Sequence, residues 1–315
     1  MYENVMPIIH SLLALILLQL ISCKPSTSSI DQTQWKQISS PGGIVVSLVT
    51  NGTNLFAGTY GDGVFFSTNN GTTWTKVNTG LSNTFVNILA VNDEYIFAGT
   101  DSGVFRSNNN GSSWSSVSNG LMDTIIYGLF ANGSDLFAGT NIGIVFHSSN
   151  NGSSWTSVNN GLSKAVVSAF AANGMYLFAA TNAYGEEIFR STNNGINWTA
   201  AGNGLPNYSV VSIAASGSNV FAGTNGSGMF LSIDSGTKWF AVNNGFENPF
   251  VQKLAVSGMN IYAATFSGVF FTINNGTSWA AINNGLTTTN VYSIFIIGTN
   301  IFVVTDNGLW RHSLL

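Results

Sequence analysis

Ser67-Thr68-Asn69-Asn70-Gly71-Thr72-Thr73-Trp74 is one of six copies of a single phrase. The pattern Ser-x-Asn-x-Gly-x-x-Trp ends at Trp74, Trp114, Trp155, Trp198, Trp239 and Trp279, with Thr272 replacing one serine and Asp234 one asparagine. A seventh tryptophan, Trp35, precedes them, and the successive gaps are 39, 40, 41, 43, 41 and 40 residues. A period near 40 in a chain with 35 glycines indicates a ring of repeated sheets.

Between tryptophans the pattern reads as strands. In one unit, residues 85–91 form a β run (a) and 95–100 a second (b). Residues 103–107 make a third (c), and 114–117, from Trp114, a fourth (d). Gly or Asn punctuates every gap, which suits strands and turns and leaves no room for long helices. Strand b recurs as Leu55-Phe56-Ala57-Gly58-Thr59 and, with small changes, five more times. A lone four-stranded sheet cannot cover both apolar faces, whereas seven stacked radially can. The expected fold is therefore all-β, a seven-bladed β-propeller of four-stranded antiparallel blades, spanning residues 34–315 as one domain.

The two ends do not match the middle. Trp35-Lys36-Gln37-Ile38 looks like a strand d with no a, b or c before it, and residues 291–312 supply a, b and c with no d after them. The N-terminal strand is expected to complete the last blade, closing the ring and removing its open edges. Trp310 falls in strand c, in register with Phe105, and is not an eighth repeat tryptophan.

Within the phrase, the Ser or Thr and the Asx two residues on (Asn69, Asn109, Asn150, Asn193, Asp234, Asn274) can hydrogen-bond nearby backbone and hold a turn. Gly71, Gly111, Gly152, Gly195, Gly236 and Gly276 can supply a positive φ there. The tryptophan then anchors the next strand. A calcium site would need six or more oxygens, and only Asp234 contributes a carboxylate to any of these turns, so no metal is expected. Asn-Gly-Leu at residues 119–121, 160–162 and 284–286 reads as a structural turn with a packing leucine.

This repeated box resembles the Asp-box (BNR) repeat over residues 34–313, with Asn for Asp in five boxes of six and no box in the seventh blade. The resemblance implies propellers like those of xyloglucanases, photosystem II assembly factor-like proteins and sortilin-type receptors, a functionally mixed group. A sialidase-like site would need three converging arginines. The chain's three, Arg106, Arg190 and Arg311, share one strand-c register in blades 2, 4 and 7, so they point around the ring as blade-surface residues, as does His147 in blade 3. A glycoside hydrolase, the alternative reading, would need two carboxyl groups facing each other across a cleft. Xyloglucanase-like enzymes pair two propellers, and this chain carries one.

Only 7% of residues are charged and the net charge is -4 with no basic block, which argues against nucleic-acid binding. Residues 7–21 are mostly apolar and lead into Leu20-Ile21-Ser22-Cys23, which holds the chain's single cysteine. This resembles the lipobox of bacterial lipoproteins, implying a signal peptide over 1–23 and lipidation at Cys23. An ordinary signal peptide or short anchor is the competing reading, and the leader lacks Lys and Arg; the true start is Met1 or Met6. Residues 24–34 read as a polar linker with a reach of at most about 40 Å. The expectation is a lipid-anchored, monomeric propeller of the bacterial cell envelope, at the outer membrane, with its box face toward the bilayer.

Any binding surface should then lie on the opposite face, formed by the b–c turns and d–a loops. The candidates are Tyr60, Asp62, Asp101, Glu186, Phe266 and Asp306, since aromatic and acidic side chains are scarce elsewhere on the turns. Asp306, Asp62 and Asp101 stand on neighbouring blades 7, 1 and 2 and are candidates for an acidic arc, although Asp is also simply a good turn residue. No cofactor motif is present. The function expected is non-enzymatic binding or assembly, with an envelope protein or polysaccharide as partner.

Overall fold

The computed structural model describes residues 34–122, 125–163, 165–182 and 188–314. Cys23, the leader, linker residues 24–33 and Glu186 lie outside them. Gln34–Leu315 forms one compact unit. Its strands form seven four-stranded antiparallel sheets. In blade 1 these are Ile44–Asn51 (a), Asn54–Tyr60 (b), Gly63–Ser67 (c) and Thr75–Lys76 (d). Blades 2 to 6 repeat this order over residues 86–116, 126–157, 167–200, 210–241 and 251–281. Blade 7 takes Val291–Ile297, Asn300–Thr305 and Gly308–Ser313 from the end of the chain. Its fourth strand is Lys36–Gln37, with Lys36 opposite Arg311 and Gln37 opposite Trp310. The ring is closed as the sequence indicates, so blade 7 has the same four strands as the other six.

The core lies between blades rather than within them. The interface of blades 1 and 2 packs Phe56 and Val64 against Val86, Leu89, Ile96, Phe105 and Trp114. The seam packs Leu48, Leu55 and Phe65 of blade 1 against Phe302, Val304 and Leu309 of blade 7. Close approach explains the small residues of strand b. A Cβ on Gly58 would sit 2.8 Å from Val86 Cγ1, and one on Gly223 would sit 2.5 Å from Val251 Cγ1.

The box is a closed hydrogen-bonded turn. Ser67 Oγ donates to Asn69 Oδ1 (3.0 Å) and accepts the Gly71 amide (3.0 Å), while Asn69 Oδ1 accepts the Thr73 amide (2.9 Å). The glycine has positive φ, as expected, and so does the residue before it. Asn70 lies at φ 55° and Gly71 at 79°, with Asn110, Asn151, Asn194, Ser235 and Asn275 in the same left-handed region. Asparagine tolerates that region better than most residues, which accounts for the recurrent Asn-Asn-Gly.

The tryptophans do more than fill space. Each indole N–H donates to a carbonyl at the outer edge of the preceding blade: Trp114 to Val77 (2.8 Å), Trp155 to Val117 (2.7 Å), Trp198 to Val158 (2.8 Å), Trp239 to Ala201 (2.6 Å) and Trp279 to Val242 (2.7 Å). Trp35 makes the same bond to Ile282, and Trp74 reaches Ser39 (2.9 Å) at the more open seam. Seven indoles therefore stitch the ring. The Asn-Gly-Leu turn docks on the same point: a Cβ on Gly120 would lie 2.3 Å from the Trp155 carbonyl oxygen. Trp310 donates instead to Thr305 Oγ1 within its own blade (3.1 Å), in keeping with its place in strand c.

Candidate functional site

Two sets of loops build the face opposite the boxes. The b–c turns are pinned by the buried threonine that ends strand b, as in Thr59 Oγ1 to Gly63 O (2.8 Å) and Thr224 Oγ1 to Gly228 O (2.9 Å). The end of each d–a loop lies over them. Gly61 and Gly63 amides donate to Thr84 O, and the Asp101 amide to Phe85 O. Residues just before a strand a therefore share one surface with the turns of two blades.

That surface gathers the exposed aromatics. Tyr60, Phe85, Tyr127, Tyr208, Phe250, Phe266 and Tyr292 all lie there, whereas Phe240 sits on an outer strand d. Tyr60 packs edge-on against Phe85 with ring centroids 5.0 Å apart, and Phe266 packs edge-on against Tyr292 at 6.0 Å. Of the residues singled out from sequence, Tyr60 and Phe266 are thus each one half of an exposed aromatic pair.

The three aspartates do not converge as one arc. Asp62 turns toward the outer edge of its blade, 3.3 Å from Lys76 Nζ on strand d. Asp101 is held on the inner side, accepting Asn87 Nδ2 of strand a (2.8 Å). Asp306 is also held on the inner side, accepting Asn290 Nδ2 (2.7 Å) and the Tyr292 hydroxyl. The hydroxyl and amide bonds to Asp306 hold its carboxyl below the ordinary carboxylate value, and the same carboxylate pushes the Tyr292 phenol up.

Asn87 and Tyr292 belong to a feature that sequence reading missed. Every strand a carries a β-bulge at the same place, between Val45 and Ser47 in blade 1 and between Val291 and Ser293 in blade 7. The extra residue is Val46, Asn87, Tyr127, Ser168, Val211, Gln252 or Tyr292. A bulge re-aims its side chain, here at the ring's innermost edge. A cavity of about 560 Å³ opens there, lined by Ile44, Val46, Val211, Gln252, Lys253, Tyr292 and Asp306, among others. Lys253 is the one cation among its described lining residues. The sequence signal was available: the position after the bulge is Ser47, Ile88, Gly128, Ala169, Ser212 or Ser293 in the other blades, so a lysine breaks the pattern.

The strand-c arginines also have a defined task. Arg106 Nη1 donates to the carbonyl of Asn151 (2.7 Å) in the box of the next blade, and Arg190 Nη1 to that of Ser235 (2.6 Å). Arg311 Nη1 reaches Asn70 O (3.3 Å) across the seam. His147 stays in its own blade, 2.6 Å from Asp135 and stacked on Phe137. The arginines point around the ring and do not meet, and each also braces the left-handed turn of its neighbour. Among the described residues no group of three His, Cys, Asp or Glu side chains is placed to hold a metal ion.

No protein-family model and no curated protein matches the chain. Solved structures do match its shape. YCF48 bound to D1 peptide superposes with a TM-score of 0.73 at 13% identity, covering 91% of this chain and 96% of that one. The GH74 xyloglucanase from Xanthomonas campestris gives 0.73 at 14% identity over 90% of this chain, which spans 54% of the enzyme. The extracellular domain of the putative one component system BT4673 from B. thetaiotaomicron gives 0.71 at 18% identity, with 88% of this chain covering 39% of that protein. At these identities the likeness establishes the seven-bladed propeller fold.

Proposed function

We propose that this protein is a non-enzymatic binding module of the bacterial envelope, tethered through Cys23, which takes a protein partner on the b–c face. The observation that carries this reading is the concentration of exposed aromatic side chains on that face, where they form the pairs Tyr60–Phe85 and Phe266–Tyr292, the latter through the cavity-lining Tyr292. Aromatics give large contact area at small entropic cost and concentrate where partners bind. YCF48, a propeller of the same size, is seen with a peptide bound, which supports a protein partner over a polysaccharide.

The acidic residues favour binding over hydrolysis. A glycoside hydrolase needs a carboxyl group whose pKa is raised so that it can protonate the leaving group. Asp306 is displaced in the opposite direction, and Asp62 is engaged by Lys76 on the outer side of its blade.

The test has two arms. Wild type and Asp62→Asn/Asp101→Asn/Asp306→Asn are incubated with a panel of oligosaccharides; wild-type hydrolysis that disappears in the triple variant would make the glycosidase reading correct. In parallel, envelope extract is passed over wild type, a Tyr60→Ser/Phe266→Ser variant and an Ile233→Ser/Ile273→Ser control, whose isoleucines are exposed on the box face. A partner recovered with wild type and control, and lost with the aromatic variant, is the expected result. For the tether, Cys23→Ser should leave the membrane fraction, and its retention there would contradict lipidation.

A further inference from the structure

In blades 1 and 5 the residue following the bulge is a serine that seals one strand a to the next. Ser47 Oγ accepts the Leu89 amide and Ser212 Oγ accepts the Leu254 amide, each at 3.0 Å. Lys253 occupies that position in blade 6, opposite Ala264. An ammonium has no lone pair, so it cannot accept the bond. The ion pairs among the described residues are Lys76–Asp62 and His147–Asp135, and among these residues the Lys253 ammonium pairs with no carboxylate. Burial pushes its ammonium below the ordinary lysine value. A partly buried cation without a partner is less favourable than a paired one, and an anion in the cavity offsets that cost.

The surroundings define the anion. Ile44, Val45, Val46, Val211 and Val304 give the cavity apolar walls. Its volume of about 560 Å³ lies within the range of small-ligand sites, roughly 300–1,000 Å³. Lys253 is partly buried, whereas Asp306 is exposed at the rim and engaged by Tyr292 and Asn290. The positive charge is therefore the more sheltered of the two. A ligand with one carboxylate beside an apolar group fits this order, and a second carboxylate would meet Asp306.

We infer that the channel mouth is an anion-binding pocket in which Lys253 receives the carboxylate of an apolar monocarboxylate, the C-terminal residue of a peptide being the form that continues out over the Phe266–Tyr292 pair. This rests on the reading of the b–c face as the binding surface, and supplies the chemistry of its centre. A free apolar acid shares the recognised group, and the two sources separate by experiment.

Calorimetric titration of the full chain with an acetylated peptide ending Ala-Val-Leu, its C-terminal amide, isovalerate and succinate tests the proposal. The free-acid peptide should bind at least tenfold more tightly than the amide. Lys253→Met should abolish that difference and Lys253→Arg retain much of it, with circular dichroism confirming that both variants fold. Isovalerate binding that depends on Lys253, with no gain from the peptide, would support the pocket with a free acid as its ligand. Equal binding of acid and amide, affinity unchanged in Lys253→Met, succinate as tight as isovalerate, or no binding of either acid would overturn it. Capture of a partner that needs Tyr60 and Phe266 but is indifferent to Lys253→Met would sink the pocket while leaving the binding face intact.

Discussion

Trp155→Phe separates the hydrogen bond of the repeat tryptophan from its bulk. The indole N–H reaches the Val117 carbonyl at 2.7 Å, and both partners are buried. Phenylalanine keeps an aromatic ring but orphans that carbonyl where water does not reach it, at a cost of about 1–3 kcal/mol. Losing the second ring adds a small cavity, about 1–2 kcal/mol more. Trp74→Phe is the matched control: its bond to Ser39 O, at 2.9 Å, is exposed, so water can replace the donor. The hydrogen-bond part of the loss there is about 1 kcal/mol or less, and the ring part is smaller than at Trp155 because Trp74 is only partly buried. Urea unfolding followed by far-ultraviolet circular dichroism measures both. A Trp155→Phe loss of about 2–5 kcal/mol, clearly larger than that of Trp74→Phe, is expected on these terms. Equal losses at the two sites would refute the claim that buried indole bonds stitch the blades.

Other substitutions probe separate parts of the account. Gly120→Ala places a methyl 2.3 Å from the Trp155 carbonyl at φ +92°, and should lower the melting temperature far more than Gly133→Ala, where φ is +62° but nothing lies within 4 Å. The second change should cost only the left-handed backbone penalty, about 1–2 kcal/mol. The Lys238 amide bond holds the Asp234 carboxyl below its ordinary 3.8, so its contribution to stability is present above that pH and is lost as pH falls through the lower folded value. Asp234→Asn reproduces the other five boxes; acid unfolding curves should show a small loss of stability at neutral pH and a weaker acid limb. Lys253 changes stability in the same direction, but in the alkaline range. Its folded pKa lies below 10.5, so the unfolded chain holds the proton longer and stability rises with pH through that alkaline window. Lys253→Met should raise the melting temperature at neutral pH and flatten the alkaline profile, in which Tyr292 and Asp306 also face the cavity; a lower melting temperature would contradict the desolvated charge.

The fold was legible because its determinants are local and repeated. Trp35 at one end and three strands lacking a fourth at the other were enough to give the ring closure. The box turn was only partly legible: Gly71 was readable as a left-handed position, but Asn70 was not, since asparagine suits many turns. The indole and Arg106 bonds escaped because they cross from one blade to the next, and their acceptors are backbone carbonyls that carry no sequence signature. Asp62, Asp101 and Asp306 look equivalent in the sequence, and only neighbours such as Lys76 and Asn87 decide which way each carboxylate turns. Lys253 was missed for a similar reason: a bulge and the closure of the whole ring bring Ile44, Val211 and Asp306 around it.

Oxidative footprinting of the complex captured from envelope extract tests the central claim most directly. Tyr60, Phe85, Phe266 and Tyr292 should be protected in the complex relative to the free protein, while Met259, exposed on the box face, keeps its reactivity. Protection of Met259 with the four aromatics unchanged would place the partner on the wrong face and contradict the account.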